Sequence, residues 1–409
     1  MASRKDNKGR VLQTGEYQRK DGRYSFSYSD AVGTRHVFYA MSLQELRVKE
    51  KNRLMAGWQG ADMYGMQVTL NYMYDRHMTT KIGLKESTVA SYMDTYDRYV
   101  RDEFGKQFVH NIRYSDIQAF YAYLLKSRGL SIKTIAHVQN QIYPALEMAV
   151  RDGLIAKNPA QHAYGNFKRA SGEKDTKRKA LTIEEQRAFL DFIEGHRCWG
   201  RYHSIFQIML GTGLRVGELT GLRWCDVDFE NKLIKVDHGL VFVKPIKGKT
   251  KGRMKINGPK TYASIREVPI MEPVMEAFKE EFLYAESRGF PSDTIDGYTD
   301  FIFTKRDGQV YTCVRLDKAL RDIVDDYNRH EEKLAEAEER DPLFLPRFSN
   351  HILRHTFCTR LCERDVNIKV IQTVMGHSSI KITMDIYAEV SQQKQIDEIN
   401  KMAKELDVF

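Results

Sequence analysis

The chain opens with two stretches, GEYQRKDGRYSFSYSD and GTRHVFYA, in which apolar or aromatic residues alternate with polar ones. That period of two predicts half-buried strands, with turns at Lys20-Asp21-Gly22 and Val32-Gly33-Thr34. Ser42 and Glu45 stand at capping-box spacing ahead of SLQELRVKEKNRLMAG, and Gly57 supplies a stop. The first 60 residues are thus expected to form about three short strands and one helix. From residue 64 to 165 the apolar positions recur at helical spacing. Gly83, Gly105, Gly129 and Gly153 punctuate them, and Asn158-Pro159 ends the run. Four or five such helices make a compact bundle. A polar, charged stretch follows, GNFKRASGEKDTKRKA, which suits a linker. Thr182 and Glu185 then cap a new helix, and further helices flank a β-rich middle running from LIKVDHGL to REVPI. EEKLAEAEER, residues 331–340, suggests a solvated helical insertion. The expected fold is multi-domain. It has a small α+β N-terminal domain (three-stranded sheet plus helix) over 1–62, an all-α bundle over 63–165, a linker over 166–180, and a mixed, mainly-α domain with a small β-sheet over 181–409.

Charge sharpens this picture. The chain of 409 residues carries a formal net charge of +9, which favours a polyanionic partner. Residues 1–60 hold 12 Lys/Arg against 6 Asp/Glu, so much of the surplus is concentrated in the first domain. A basic sheet interleaved with Tyr24, Phe26, Tyr28 and Tyr39 suggests DNA contact, with Arg19, Lys20, Arg23 and Tyr24 as the candidate residues. The plainer alternative is a solvated basic surface. Residues 244–266 hold eight Lys/Arg and no Asp/Glu, which fits a hairpin that follows a DNA backbone through Lys247, Lys249 and Lys251. No run of about 18 apolar residues suggests a membrane span, and the polar N-terminus lacks the apolar core of a signal peptide. A cytoplasmic protein is expected. The five scattered cysteines read as buried, reduced thiols. No phosphate-binding glycine loop, dinucleotide fingerprint or metal-ligand spacing appears.

Three clusters have the residues for chemistry. In TGLRVGELTGLRW, Arg215 and Glu218 are neighbours on one helix face, and Gly211 and Gly213 allow close approach. Taken alone, this pair is better read as a surface ion pair. In NHILRHTFCTRL, His351 and Arg354 are again three apart, and Arg354 lies among apolar residues where a guanidinium needs an anion, either an internal carboxylate or a ligand. His355 beside it is read as a packing residue or as a support to the residues that touch the substrate. In GHSSIKITMDIY, His377 precedes Tyr387 by ten positions. A tyrosine hydroxyl titrates near 10, so it attacks at neutral pH only with a base and a cationic surround. Two arginines can clamp two non-bridging phosphate oxygens, and histidine can share a proton or hold a further oxygen. A leaving 5′-hydroxyl then needs an acid, and Lys260 in NGPKT is the candidate, with Lys249 and Lys255 as competitors.

TGLRVGEL, HILRHTF and MGHSSIKITMDIY, in that order with PKT…REVPI between the first two, resemble the arginine, H-x-x-R and L-G-H…Y boxes of the tyrosine recombinase (phage integrase) family. Met375 replaces the family's usual leucine. The N-terminal unit resembles the arm-type DNA-binding domain of integrases from conjugative transposons. The resemblance implies an enzyme that cleaves and rejoins DNA through a 3′-phosphotyrosyl link to integrate and excise a mobile element, needing neither metal nor ATP. It implies that Arg215 and Arg354 bind the scissile phosphate and that Lys260 protonates the leaving oxygen. His351 would assist proton transfer, His377 would hydrogen-bond the phosphate, and Tyr387 would attack, with Glu218 orienting the arginine and histidine. It further implies an arm-type domain at 1–62, a core-binding domain at 63–165, double-stranded DNA with core-type and arm-type sites, and a homo-tetramer on DNA. An excisionase or DNA-bending protein is a possible further partner, and no membrane is expected. Two alternatives stay open: a regulator that keeps the fold without catalysis, and a type IB topoisomerase. Ile396, Ile399, Ala403, Leu406 and Phe409 form a helical stripe in the tail, suited to docking on its own domain or on a neighbouring protomer.

Overall fold

In the computed structural model, residues 4–29, 35–58, 68–172, 179–246, 248, 250–258 and 265–391 are described. The chain divides into two compact units, Met1–Asp175 and Thr176–Phe409. Lys247, Lys249, Lys260 and the tail stripe lie outside the described residues.

The first unit begins with strands β1 (Glu16–Gln18), β2 (Tyr24–Ser29) and β3 (Arg35–Ala40), antiparallel in that order, followed by helix α1 (Leu43–Trp58). Ser42 accepts a hydrogen bond from the Glu45 N–H and the Glu45 carboxylate accepts one from Met41, which starts the helix as its spacing predicts. The helix runs one residue past Gly57. Tyr24, Phe26, Ala40, Leu43 and Leu46 form a small core with Tyr28 and Phe38 against it. Tyr24 therefore does not serve as a DNA contact. Alternation along β2 turns it inward, where it is 3% exposed and its hydroxyl donates to Asp6 and accepts from Arg10. The outer face instead carries Tyr17, Ser25 and Tyr39 in register, with Arg19 over the Tyr39 ring. Arg19, Lys20 and Arg23 are exposed as expected, and the two arginines pair with Asp21 in the β1–β2 turn.

Helices α2 (Leu70–Thr79), α3 (Glu86–Tyr99), α4 (Tyr114–Lys126), α5 (Ile132–Arg151) and α6 (Ala163–Ser171) share a second core, in which Tyr74 and Tyr96 stack with ring centroids 3.6 Å apart. The helix α6 occupies residues whose polar composition suggests a linker. Ala163 and Phe167 anchor it by burial, at a spacing that places both on one face.

The second unit contains α7 (Ile183–Ile193), α8 (His203–Thr212), α9 (Val216–Thr220), β4 (Val227–Asp228), β5 (Leu233–Val236), β6 (Gly239–Val243), β7 (Arg253–Asn257), β8 (Arg266–Pro269), α10 (Glu272–Glu286), α11 (Cys313–Ala337), α12 (Asn350–Glu363), α13 (Ile368–Met375) and α14 (residues 380–391). The β-rich middle is two small antiparallel sheets, β4-β5-β8 and the hairpin β6-β7. Lys251 lies exposed in the connection between β6 and β7. Phe189, Phe206, Phe278, Leu320 and Leu353 belong to the main core of this unit. The far end of α11 is not wholly solvated, because Glu331 is buried against Arg340 and Ala335 is buried as well. Cys358 and Cys362 are buried, whereas Cys198, Cys225 and Cys313 are exposed, against the expectation for all five. Among the described residues no helix is long and apolar enough to cross a membrane.

Candidate active site

The site is organised by the C-terminal turn of α13. Three successive carbonyls leave that turn, and each accepts from a different guanidinium. Val374 O accepts from Arg266 Nε at 2.7 Å, Met375 O from Arg354 Nη2, and Gly376 O from Arg215 Nη2 at 2.8 Å. A helix C-terminus carries unsatisfied carbonyls and partial negative charge, so cations gather there. Gly376 takes a left-handed φ of 59°, and a Cβ there would meet Arg266 Nη1 at 3.0 Å. Glycine is needed on both grounds.

Arg215 caps α9 and reaches Glu218 at 2.7 Å through Nη1, while the Glu218 carboxylate accepts the Arg215 backbone N–H at 2.9 Å. The same carboxylate receives both terminal nitrogens of Arg266, at 3.2 and 2.8 Å. Burial alone would push the Glu218 carboxyl up, but hydrogen bonds and charge from Arg266, with the Arg215 charge added, hold it down at about 2. Glu218 is thus an anionic clasp between two arginines, Arg215 and Arg266. No hydrogen bond joins it to His377 among the described residues.

Arg354 is different. It is 3% exposed, and its guanidinium donates to the carbonyls of Gly213 (2.5 Å) and Met375. Gly213 sits at φ 63°, where a Cβ would come within 2.4 Å of the Phe357 ring. Among the described residues no carboxylate forms an ion pair with Arg354. Burial, and next the Arg215 charge, push it down to about 9. This is a buried cation held in place by neutral acceptors and repelled by its neighbour, an arrangement an anion would complete.

His377 follows Gly376 and is buried, with Nδ1 3.0 Å from the hydroxyl of Thr383. Burial first, and then the charges of Arg354, Arg215 and Arg266, press it down to about 4, so the ring is neutral at physiological pH. His351, Arg354, His355, Cys358, Met375 and His377 line a hollow of about 630 Å³ closed on its other side by Ile382, Asp385, Ile386, Ala388 and Glu389 of α14. His351 is exposed at the start of α12.

Tyr387 stands on α14 between residues that line the hollow, yet it packs half-buried against the Phe357–Cys358–Cys362–Ile371–Met375 cluster. Its hydroxyl makes no hydrogen bond to a described residue. The structure thus brings Arg215, Glu218, Arg354 and His377 together, sets His351 at the rim, and leaves Tyr387 on the adjoining helix without a polar contact to them. Elsewhere, Asp226, Asp237 and His238 have ligand atoms within 4.8 Å of one another, but Arg223 takes Asp226, and the His238 ring nitrogens bond Asp237 and the Gly221 carbonyl.

Similarity to known proteins points the same way as this geometry. Residues 179–394 match the model of the phage integrase family. The chain belongs to the phage integrase family. Residues 1–55 of this integrase match the DNA-binding domain of Tn916 integrase. It is 28% identical to the transposase from transposon Tn916 of Enterococcus faecalis, over 98% of this chain and 97% of that protein. It is 29% identical to the transposase from transposon Tn1545 of Streptococcus pneumoniae, with the same coverage. Among solved structures, the Tn1549 transposon integrase in complex with a circular intermediate DNA is 28% identical with a TM-score of 0.67, covering 80% of this chain and 99% of that one. This integrase is a tyrosine recombinase of the conjugative-transposon type, which integrates and excises a mobile element.

Two residues of the integrase site are not evident from the sequence. Arg266 stands among the basic residues expected to follow DNA, yet its side chain is 1% exposed and clasps Glu218. The alternation of Arg266, Val268 and Ile270 in REVPI is the available signal, since it points all three inward. Thr383 is fully buried and holds His377. Its one sequence cue is its place a helical turn before Tyr387.

Proposed function

We propose that Arg215 and Arg354 of this integrase grip the non-bridging oxygens of the scissile phosphate and that Tyr387 attacks its phosphorus. The observation that carries this reading is Arg354, a buried guanidinium with no carboxylate partner among the described residues, next to a second arginine and a neutral histidine. Two fixed guanidinium groups, Arg354 buried and Arg215 partly open to solvent, offset the charge that grows on the phosphoryl oxygens in the transition state, and they need no rearrangement to do so. His377, neutral and with its basicity pressed down, is a poor proton acceptor and serves as a hydrogen bond to the phosphate rather than as a base. His351, at the rim, assists the transfer of the tyrosine proton. Attack forms the Tyr387 Oη–phosphorus bond and breaks the bond to the 5′-oxygen, which leaves with a proton supplied by Lys260, or by Lys249 or Lys255 in its place. The reverse step, with a 5′-hydroxyl from another strand, rejoins the DNA. For cleavage, Tyr387 leaves its packing on the Phe357–Met375 cluster and swings its hydroxyl into the hollow.

In this reading residues 1–62 hold arm-type sites through the exposed sheet face of Tyr17, Tyr39 and Arg19, residues 63–165 hold core-type sites, and residues 181–409 carry the chemistry. Lys20, Arg23, Lys247, Lys249 and Lys251 add phosphate contacts. The enzyme works in the cytoplasm as a homo-tetramer on paired sites, with the tail passed between protomers and an excisionase or bending protein setting direction.

Covalent capture tests the reading. The protein and its Tyr387→Phe variant are expressed in cells carrying the element, and DNA that stays bound after denaturation is sequenced, with nicked duplexes used to trap the link. Attachment at defined sites, lost in the variant, is expected. Attachment that survives Tyr387→Phe would overturn the assignment.

A further inference from the structure

The hydrogen bond between His377 and Thr383 joins the residue after the arginine-bound turn to the helix that carries Tyr387. Thr383 is fully buried on α14, one turn before Tyr387 and on the same face. Its hydroxyl lies 3.0 Å from His377 Nδ1, so one nitrogen of the ring is committed and the ring plane is fixed. The Gln372 side chain holds the backbone of the same histidine, donating to the His377 carbonyl at 3.2 Å. A neutral imidazole carries one N–H, and the partner of one nitrogen decides whether the other can donate.

We infer that Thr383 is a positioning residue for strand cleavage: in the DNA complex its hydroxyl donates to His377 Nδ1, so that the ring proton lies on Nε2 and is given to a non-bridging phosphate oxygen. A carbonyl or carboxylate in place of Thr383 would take the Nδ1 proton and leave Nε2 bare, facing an anion with a lone pair. A hydroxyl has the chemistry to donate. Burial, with the cationic surround added, keeps His377 neutral, which makes the choice of tautomer matter. Because Thr383 and Tyr387 share a helix, the same bond sets where that helix begins relative to the arginine cradle. The inference rests on the phosphate-binding role proposed above for His377.

The test compares Thr383→Val, which keeps the shape and removes the hydroxyl, with Thr383→Ser, which keeps the hydroxyl. Both are made in the full chain, alone and with His377→Ala. Single-turnover formation of the covalent adduct is measured on a nicked duplex bearing the end sequence recovered by covalent capture. Thr383→Val is expected to slow adduct formation by about 10–100-fold, the range seen when a metal-bound histidine loses its outer partner, and Thr383→Ser to stay within a few-fold of the parent. In the His377→Ala background Thr383→Val should cost nothing further, because the two act as one unit. Equal losses in Val and Ser, or full additivity with His377→Ala, would overturn the inference and leave the phosphate site intact. A His377→Ala variant as fast as the parent would instead overturn the role assigned to His377, and this inference with it. A second readout needs no DNA. In protein labelled with 15N-histidine, the His377 ring signals, assigned by their loss in His377→Ala, should shift in Thr383→Val and hold in Thr383→Ser. Unchanged signals in Thr383→Val would show that the hydroxyl does not govern the ring.

Discussion

Arginine is used in opposite ways on the N-terminal sheet and in the interior of the candidate site. On the N-terminal sheet, Arg19 and Arg23 keep 43% and 50% of their side-chain surface in water and share Asp21 as a partner. In the second unit, Arg266 and Arg354 have almost none, at 6% and 3% residue exposure. Exposed arginines cost little to hold and contribute mainly salt-screened attraction to a polyanion. Buried arginines are costly unless every donor is met, so each buried guanidinium implies a specific acceptor. The two buried residues diverge in turn. Arg266 is completed within the protein by Glu218, whereas Arg354 is completed only to the extent that backbone carbonyls allow. One arginine is neutralised within the protein, and the other is the one proposed to meet the substrate phosphate.

Removing Arg354 should have the largest effect. Arg354→Ala is expected to lower the rate of adduct formation by on the order of 10³ or more while DNA binding survives, as measured by single-turnover cleavage beside a gel-shift assay. Arg354→Lys should fare little better, since an ammonium cannot span the carbonyls of Gly213 and Met375 as the planar fork does. Next comes the clasp. Glu218→Gln leaves Arg266 buried without its counter-charge, and urea unfolding should show a loss of about 3–5 kcal/mol.

The acid limb of stability should follow from the same groups. Glu218 is held at about 2 when folded, from 4.5, so its contribution is complete above pH 4.5 and is lost as pH falls through about 2. His377 is held at about 4, from 6.5, so the unfolded chain binds the extra proton between those values and stability falls as pH drops from 6.5 toward 4. Denaturation midpoints measured from pH 7 to pH 3 should decline throughout, and His377→Gln should flatten the upper part of that decline. A flat profile in the parent would contradict both directions. The smallest effect belongs to the exposed set. Arg19→Ala should weaken binding modestly and reduce the slope of log affinity against log salt by about 1, with cleavage at saturating enzyme unchanged.

The same contrast explains what the chain's sequence reveals. Arg215, His351, Arg354 and His377 are legible because each sits in a short local pattern whose spacing already places it on a helix or at its end. Arg266 is hidden by its company: in a stretch with eight basic residues and no acid, one that turns inward looks like one that turns out. Tyr24 errs in the other direction. Aromatic residues at 24, 26 and 28 share one face of β2, and with a single helix to pack on, that face becomes the core, leaving Tyr17 and Tyr39 outside. Thr383 has no local pattern, because its partner is fixed by how α14 folds back on the α13 turn, a tertiary fact. The packing of Tyr387 against the Phe357 cluster instead of beside the arginines is likewise a tertiary fact.

The most direct test of the central claim, that Arg354 awaits the charge of a phosphate, removes that charge from the DNA. Adduct formation is measured for the parent and Arg354→Ala on a nicked duplex whose scissile phosphate is replaced by a neutral methylphosphonate, and compared with the ordinary phosphate. If the buried guanidinium serves the phosphate charge, the large penalty of Arg354→Ala on phosphate should shrink to a few-fold on methylphosphonate. An equal penalty on both substrates would mean that Arg354 holds the protein together and does not neutralise its substrate, which would contradict its assignment to the scissile phosphate.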